Sequence, residues 1–530
     1  MGDAQEPAPT SISNTATDHS TTNPTATFIP KQISRVAIIG AGPVGIAFSK
    51  FLIAEKCFSE IDIYEQRDNV GGIWNLSDNV VSRNVSVPQT DPWYGTSSSA
   101  AKDDALEFES PLYEYLETNI PKQLMAYCDA PFADSDPLFP GHEAVLDYLI
   151  RYAEEVRHLI RFNTKVDRVD LRVEDWEGRT KDLWTVSSTD LMTGVKTSKT
   201  YDAIVVANGH YTVPYVPAIP GLDKLNIRHP GVVLHSKAYR RPEDFTDKKV
   251  LVIGNSASGL DIAAQIGKFA RKPVYLSARS PSAFGTSAPT EWREDVDEVV
   301  KFYTSEAKTP SIRLRSGRLE SGFDSVVFAT GYFYNFPFLK DTELRLGDAL
   351  VTDGSRTRGL YQHLFHIKHP SLVFPVINLK VIPFPLSQNQ AAVASRVWSG
   401  RLDLPEEKEM HQWERDVIQR KGEGKYFHLK KFPEDAAQLN ELFLWAKEAR
   451  NRHGLENDGV GKSGMAWDER LVWMRSRFPE IKAAFAKRGR DRFKVTMMEE
   501  VGFDFETWLE EVNRTGRVEE LNMFREAKCP

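Results

Sequence analysis

The sequence predicts an α/β fold with two dinucleotide-binding modules, one inserted into the other, and a helical C-terminal region. Three observations carry that prediction. A buried strand runs into a glycine-rich turn and then a helical pattern twice, first over Arg35–Lys56 and again over Lys249–Phe269. Two further apolar strands ending in glycine, within Ala203–Gly209 and Ser325–Tyr332, stand on either side of the second unit, as they would around an insertion. From Pro405 onward the chain is charged, helical in pattern and rich in Trp and Phe, with amphipathic stretches at Asp468–Phe478 and Phe505–Val512.

The first unit reads Val36–Ile39, then Gly40-Ala41-Gly42-Pro43-Val44-Gly45, then the helical pattern Ile46–Lys56. Gly40 permits the tight turn, Gly42 lets a pyrophosphate approach the backbone, and Gly45 lets helix and strand pack closely. The free N–H groups and positive dipole end of the helix N-terminus then face the phosphates. A second strand, Ile61–Tyr64, ends in Glu65, about 20 residues past the last glycine, where a ribose-binding carboxylate belongs. Gly71-Gly72 lets the backbone pass close to a ligand, and Ile73-Trp74 follows, with Trp74 placed to lie along an extended cofactor or to serve as core.

Bulk properties narrow the function classes. At 530 residues the chain exceeds a usual single core, so two or more domains are expected. A net charge of −7 argues against nucleic acid or an anionic membrane as partner. Cys57, Cys128 and Cys529 are too scattered for a disulfide framework or a redox pair, which points to a reducing compartment. Residues 1–30 are rich in Ser, Thr, Ala and Pro, a composition expected to stay disordered, and lack the apolar core of a signal peptide. No uninterrupted apolar run approaches the ~18 residues that span a bilayer, so no membrane span is expected and the cytoplasm is the expected location.

Ser110–Lys122 reads as an amphipathic helix stopped by Pro121, which leaves Thr118 and Asn119 at its end. Pro140–Val156 reads as a second helix, and strand patterns at Ile160–Val169 and Leu183–Ser187 suggest a small β-layer on the first module. In the second unit, Lys249–Gly254 is the strand, Gly254-Asn-Ser-Ala-Ser-Gly259 the turn and Leu260–Phe269 the helix. The next strand, Pro273–Arg279, ends in Ser277 and Arg279 with no acid. An acidic residue there would favour NAD, whereas an arginine suits the 2′-phosphate of NADP, so NADPH is the expected nicotinamide. Further on, Ser387-Gln-Asn-Gln390 opens an Ala-rich helix, with Gln390 placed to donate to a carbonyl or to cap.

With these stretches assembled, the chain resembles the flavin-containing monooxygenases, and in particular soluble members of fungal or bacterial type without a hydrophobic C-terminal anchor. The resemblance rests on Gly40–Gly45, Gly71-Gly72-Ile73-Trp74, Thr118-Asn119-x-Pro-Lys122, the second glycine turn and Phe328-Ala-Thr-Gly-Tyr332. The family's F-x-G-x-x-x-H-x-x-x-Y/F pattern is met at Gly231, His235 and Tyr239, with His229 where phenylalanine is usual. It covers roughly residues 33–400.

The resemblance implies an enzyme with two Rossmann-like domains: a tail over 1–30, an FAD domain over 31–210 and 326–400, an inserted NADPH domain over 211–325 and a helical region over 401–530. It assigns Gly40, Ala41, Gly42, Pro43, Val44, Gly45, Glu65, Ile73, Trp74 and the backbone at Val166 to FAD, and counts Thr118 among the cofactor-binding residues. Ser258, Gly259, Leu260, Asp261, Ser277 and Arg279 go to NADPH. Asn119 sits beside flavin and nicotinamide as the catalytic residue, Gln390 lies near the isoalloxazine edge, and His235 is a structural residue between the domains.

The implied reaction takes O₂ and a small-molecule substrate: NADPH reduces FAD, a C4a-hydroperoxyflavin forms, and a nucleophilic nitrogen or sulfur is oxygenated, with no metal required. Asn119 and retained NADP⁺ are the implied guards of that intermediate. Three rivals stand beside this reading. A Baeyer–Villiger monooxygenase acting on a ketone would want Trp at Tyr239 and Pro or Asp at Arg240. A flavin disulfide reductase would want neighbouring cysteines, and a non-catalytic nucleotide-binding regulator could use the same scaffold. The C-terminal region offers packing or an assembly surface, as for a homo-oligomer.

Overall fold

The structure is a computed structural model that describes residues 33–77, 85–95, 108–176, 179–280, 291–304, 310–343 and 345–517. The tail expected over 1–30 lies outside the described residues. The first unit consists of β1 (Arg35–Ile39), α1 (Pro43–Ala54) and β2 (Glu60–Tyr64). Next come α2 (Lys122–Met125), α3 (His142–Ala153), β3 (Ile160–Arg161), β4 (Thr164–Trp176), β5 (Arg179–Asp190), β6 (Lys196–Tyr201) and β7 (Ala203–Val206). The chain then runs through β8 (Val213–Pro214), α4 (Leu222–Arg228) and β9 (Val233–His235). The second unit follows as β10 (Val250–Ile253), α5 (Ala257–Ile266), β11 (Val274–Ser277) and β12 (Arg293–Val296). After it come β13 (Val299–Tyr303), β14 (Ser311–Leu314), β15 (Leu319–Ser321), β16 (Ser325–Phe328) and β17 (Tyr332–Phe333). The chain continues through β18 (Leu360–Tyr361), β19 (Phe365–His366), β20 (Leu372–Val373) and α6 (Pro383–Trp398). Helices α7 (Glu407–Lys421), α8 (Glu434–Lys447), α9 (Glu469–Lys487) and α10 (Phe505–Thr515) complete the described chain.

Two parallel sheets organise the molecule. The first has the order β18-β19-β20-β7-β1-β2-β3 and is parallel from β20 to β3. The second, β12-β11-β10-β16-β9, is parallel throughout and is built wholly from chain lying between β7 and β20. Where the chain leaves the first sheet and where it returns, β8 and β17 pair antiparallel, Val213 opposite Phe333 and Pro214 opposite Tyr332. The only covalent passages between the sheets are therefore tied together as one short ribbon.

Strand β1 shows why the first sheet is buried on both faces. Successive side chains alternate sides of a strand. Val36 and Ile38 join α1 and α6 in one core, while Ala37 and Ile39 join Val169, Leu171 and Trp184 of the β4–β5 layer in another. That layer is the antiparallel sheet β4-β5-β6. The C-terminal region packs on the first module: Trp473, Ile481 and Phe485 of α9 share a core with Leu124, Leu138 and Phe139. Among the described residues no helix is long and apolar enough to cross a membrane.

One predicted element is absent. Residues 110–121 are not helical, and α2 begins only at Lys122. The backbone of this stretch is engaged elsewhere: Glu114 N–H donates to the Arg240 carbonyl, Thr118 N–H to the Pro140 carbonyl, and His142 N–H to the Leu116 carbonyl. Apolar spacing in the sequence is thus overridden by pairing with distant chain. Two helices also start earlier than the sequence suggests, because Pro43 and Pro383 occupy the first turn, where a missing N–H costs nothing.

Candidate active site

The two glycine turns are built alike. Gly40 has φ +109°, and a Cβ there would stand 2.5 Å from the Ala207 carbonyl oxygen. Gly254 has φ +114°, and its Cβ would run into the Ala329 carbonyl oxygen. Within each turn the last glycine meets the first: a Cβ on Gly45 would collide with the Gly40 carbonyl oxygen, and one on Gly259 with that of Gly254. Each turn therefore admits only hydrogen at these positions and sits against the end of the strand that carries the chain toward the β8–β17 ribbon. Neither Gly42 before α1 nor Ser256 before α5 caps its helix with a side chain. Both helix starts are therefore suited to bind anionic phosphates.

Around the first turn the residues fit an extended dinucleotide. Glu65 is buried at the end of β2 and accepts hydrogen bonds from the N–H groups of Ala41 (2.8 Å) and Arg67 (2.9 Å). Burial pushes its carboxyl above the ordinary value, and those two backbone donors oppose the shift. Gly71 N–H donates to the Ala41 carbonyl, and a Cβ on Gly72 would lie 3.1 Å from Gly42 Cα, so the turn leading to Ile73 and Trp74 crosses directly over the glycine loop. Trp74 packs against the first core. Val166 is buried on β4 beside the β-bulge that shifts its register against β5.

The buried polar atoms without a hydrogen-bond partner among the described residues include Asn208 Oδ1, His210 Nε2 and Gln390 Nε2. Gln390 Oε1 accepts from Val376 N–H at 2.8 Å, which fixes the amide and leaves its NH₂ free. Burying such a group unpaired costs about 1–3 kcal/mol, so the Gln390 amide is suited to donate to a bound polar group. His210 is held neutral, its pKa pushed down to about 4 by burial.

In the second module Ser258 and Gly259 lie in the first turn of α5, followed by Leu260 and Asp261. Asp261 accepts from the Tyr113 hydroxyl and from Gln265 Nε2 (3.0 Å), and burial raises its pKa despite the Tyr113 bond. Ser277 is buried, its hydroxyl donating to the Asp297 carbonyl at 2.9 Å. Arg279 stands outside, 69% exposed, paired with Glu298 at 2.6 Å; Arg315 pairs with the same carboxylate.

A cleft of about 210 Å³ lies between the modules. Ile73 comes from the first, Ser258 and Ile262 from α5, Tyr211 and Tyr332 from the two crossings, and Tyr113 and Leu116 from the non-helical 110–121 strap. Ile73 and Ser258 are among the residues expected from the sequence, whereas Tyr113, Leu116, Tyr211 and Ile262 are not, because their place here depends on contacts far apart in the chain. Gln390 and Asn119 do not line this cleft. Asn119 is exposed, one residue beyond Thr118, which is buried with its hydroxyl donating to the Ile120 carbonyl.

His235 ends β9 and is buried. It accepts from Lys237 N–H at Nδ1 (3.1 Å) and donates from Nε2 to the Gly331 carbonyl (3.1 Å). Burial lowers its pKa to about 3, so it is a neutral strut between β9 and the return crossing. Tyr239 donates to Gln265 Oε1 at 3.0 Å and stacks edge-on with Tyr113.

This arrangement has counterparts among known proteins. A family model described as flavin-binding monooxygenase-like matches residues 100–287 and 297–438. Among curated proteins, the flavin-containing monooxygenase iboF of Amanita muscaria is 29% identical over 80% of this chain and 90% of its own. The thiol-specific monooxygenase of Saccharomyces cerevisiae is 31% identical over 70% of this chain and 78% of its own. The solved structure of S-allyl-L-cysteine S-oxygenase from Allium sativum superposes with a TM-score of 0.63 at 28% identity, covering 91% of this chain and 98% of that one. Both nucleotide turns, the cleft between them and these matches lead to one conclusion: the chain belongs to the flavin-binding monooxygenase-like family and is an NADPH-dependent flavin monooxygenase.

Proposed function

We propose that this enzyme holds FAD on the first glycine turn and NADPH on the second, and oxygenates a nucleophilic sulfur, or more weakly a nitrogen, of a small molecule in the cleft. The observation that carries the reading is that one cleft is walled by both modules at once, so two cofactors seated on the two turns meet where a substrate can enter. When bound, the cofactors supply the reducing equivalents and the activation of O₂. The protein's part is to bind, orient and keep water away.

On this reading the α1 and α5 N-termini hold the pyrophosphates, Glu65 takes a ribose hydroxyl, and the backbone at Val166 lies along FAD. The unpaired Gln390 NH₂ donates to an acceptor on the flavin ring. Ser277 and Arg279 lie at the nicotinamide cofactor's adenosine end, where Arg279 exchanges Glu298 for the 2′-phosphate. The expected role of the Asn119 amide at the reacting centre requires the bound cofactors to reach past the cleft lining to the exposed end of the 110–121 strap. Leu112, Leu116, Ile262, Tyr113, Tyr211 and Tyr332 give the cleft an apolar and aromatic wall. Such a wall suits a weakly hydrated thioether or thiol better than a charged amine. The thiol-specific and S-oxygenase relatives support the same preference. Exposed, unpaired Cys57 and Cys128 accord with a reducing, cytoplasmic setting.

The test is to supply purified, flavin-loaded protein with NADPH and a thioether, a tertiary amine or a cyclic ketone, and to measure oxygenated product per NADPH consumed. Sulfoxide as the main product is expected. Lactone from the ketone, or NADPH oxidation without product from any of the three, would end the proposal.

A further inference from the structure

The strap over residues 110–121 is held from two sides. On one side α5 grips it: Tyr113 donates to Asp261, and Gln265 Nε2 donates to the Tyr115 carbonyl at 3.1 Å. On the other side stands α9, beyond the part of the chain that the family model matches. Lys482 Nζ donates to the Thr118 carbonyl at 2.9 Å and pairs with Glu117 at 3.3 Å. Arg492 reaches the other oxygen of Glu117 through Nε (2.9 Å) and Nη2 (2.6 Å). The Lys482 ammonium lies 4.5 Å from the Phe139 ring centre and 5.4 Å from that of Phe485, so it rests against the edge of the apolar core of the C-terminal region.

We infer that Lys482 is a positioning residue for the oxygenation: it locks the Glu117–Asn119 corner of the strap whose Tyr113 and Leu116 line the cleft, and thereby limits loss of reducing equivalents as H₂O₂. The peptide groups on both sides of Thr118 are pinned, its N–H by the Pro140 carbonyl and its C=O by Lys482. The backbone at Asn119 is therefore fixed at its upstream end by the C-terminal helix. A charge-assisted bond from an ammonium to a carbonyl in an apolar setting is among the stronger ones available. An error of about 1 Å in a reacting geometry can cost on the order of 100-fold. The role attributed to the corner rests on the monooxygenase reading, whereas the clamp itself does not.

The test compares Lys482→Met and Lys482→Arg in the full-length, flavin-loaded protein, with exposed Lys487→Met on the same helix as control. Hydrogen–deuterium exchange of the amides over residues 114–120 reads the clamp, and H₂O₂ formed per NADPH in the presence of a thioether reads coupling. For Lys482→Met, exchange should rise about tenfold and the peroxide fraction about fivefold, matching loss of one charge-assisted bond. Lys482→Arg should recover most of both, and Lys487→Met should resemble the parent. Glu117→Gln, which keeps the strap's shape, should move both readouts the same way and serves if Lys482→Met folds poorly. Faster exchange with an unchanged peroxide fraction would overturn the positioning role, and unchanged exchange would overturn the clamp. A parent enzyme that makes no oxygenated product would instead refute the function proposed above, while the exchange measurement would still judge the clamp.

Discussion

A methyl group added at Gly45 would have to share space with the Gly40 carbonyl oxygen, and one at Gly259 with that of Gly254. Because the obstacle in both places is backbone, neither turn can yield cheaply, and overpacking of this kind costs about 1–3 kcal/mol or more. The two substitutions nevertheless should fail differently. Gly45→Ala should be recovered with little bound flavin, read as the ratio of flavin to protein absorbance. Gly259→Ala should keep its flavin and raise the KM for NADPH about tenfold, equivalent to roughly 1.4 kcal/mol. Equal flavin loss in both variants would contradict the assignment of one cofactor to each turn. At the rim, Arg279 is exposed and already shares Glu298 with Arg315. Arg279→Ala should raise the KM for NADPH several-fold, about 1 kcal/mol for one screened charge-assisted contact, and leave that for NADH unchanged. An equal effect on both would place Arg279 outside the 2′-phosphate site.

At the scale of elements, the end of α1 is tied to the chain after α6 through a buried ion pair. Arg401 Nη2 stands 2.8 Å from Glu55 Oε1 and Nε 2.9 Å from Oε2, with side-chain exposures of 4% and 3%. Ser399 also donates to Glu55 at 2.7 Å. Losing Arg401 leaves the buried Glu55 carboxylate with only Ser399 and a longer contact to Arg452 at 3.5 Å, which costs about 3 kcal/mol. Arg401→Met should therefore lower the urea midpoint substantially, whereas Arg450→Met, which breaks the exposed pair with Asp403, should shift it little. Similar shifts for the two would show that burial does not govern the strength of these pairs. Strands, glycine turns and α5 were legible in the sequence because each rests on a local pattern: an apolar run, glycines at fixed offsets, a following helical period. The 110–121 strap was not, since Arg240 and Lys482 fix its shape from more than 100 residues away and Pro140 from the chain just ahead of α3. The part played by α9 was hidden for the same reason: Lys482 reads as one more charge on an amphipathic helix until Thr118 is beside it.

Across the whole molecule, buried histidines tie stability to pH. Burial lowers the pKa of His210 to about 4 and those of His235 and His366 to about 3, and pushes His363 and His428 well below the ordinary value. His363 and His428 share one hydrogen bond between their Nδ1 atoms at 3.0 Å, which requires one donor and one acceptor. An unfolded chain takes up these protons near pH 6.5, whereas the folded chain resists them until far lower pH. Stability from this source is therefore complete above about pH 6.5 and declines as the solution is acidified toward the folded values, by about 1.4 kcal/mol per histidine for each pH unit below it. Urea midpoints measured at pH 7, 6 and 5 should fall in that order. His235→Gln should flatten the dependence by about one proton. A flat profile in the parent would contradict the neutral assignment.

The carbonyl oxygens that confine the two glycine turns belong to Ala207 and Ala329, and from each of these residues the chain passes within a few positions into the β8–β17 ribbon. The crossing and both glycine turns consequently lie at one junction. Were one module to rock against the other about that ribbon, the two glycine turns would move least and the far edges of the sheets most.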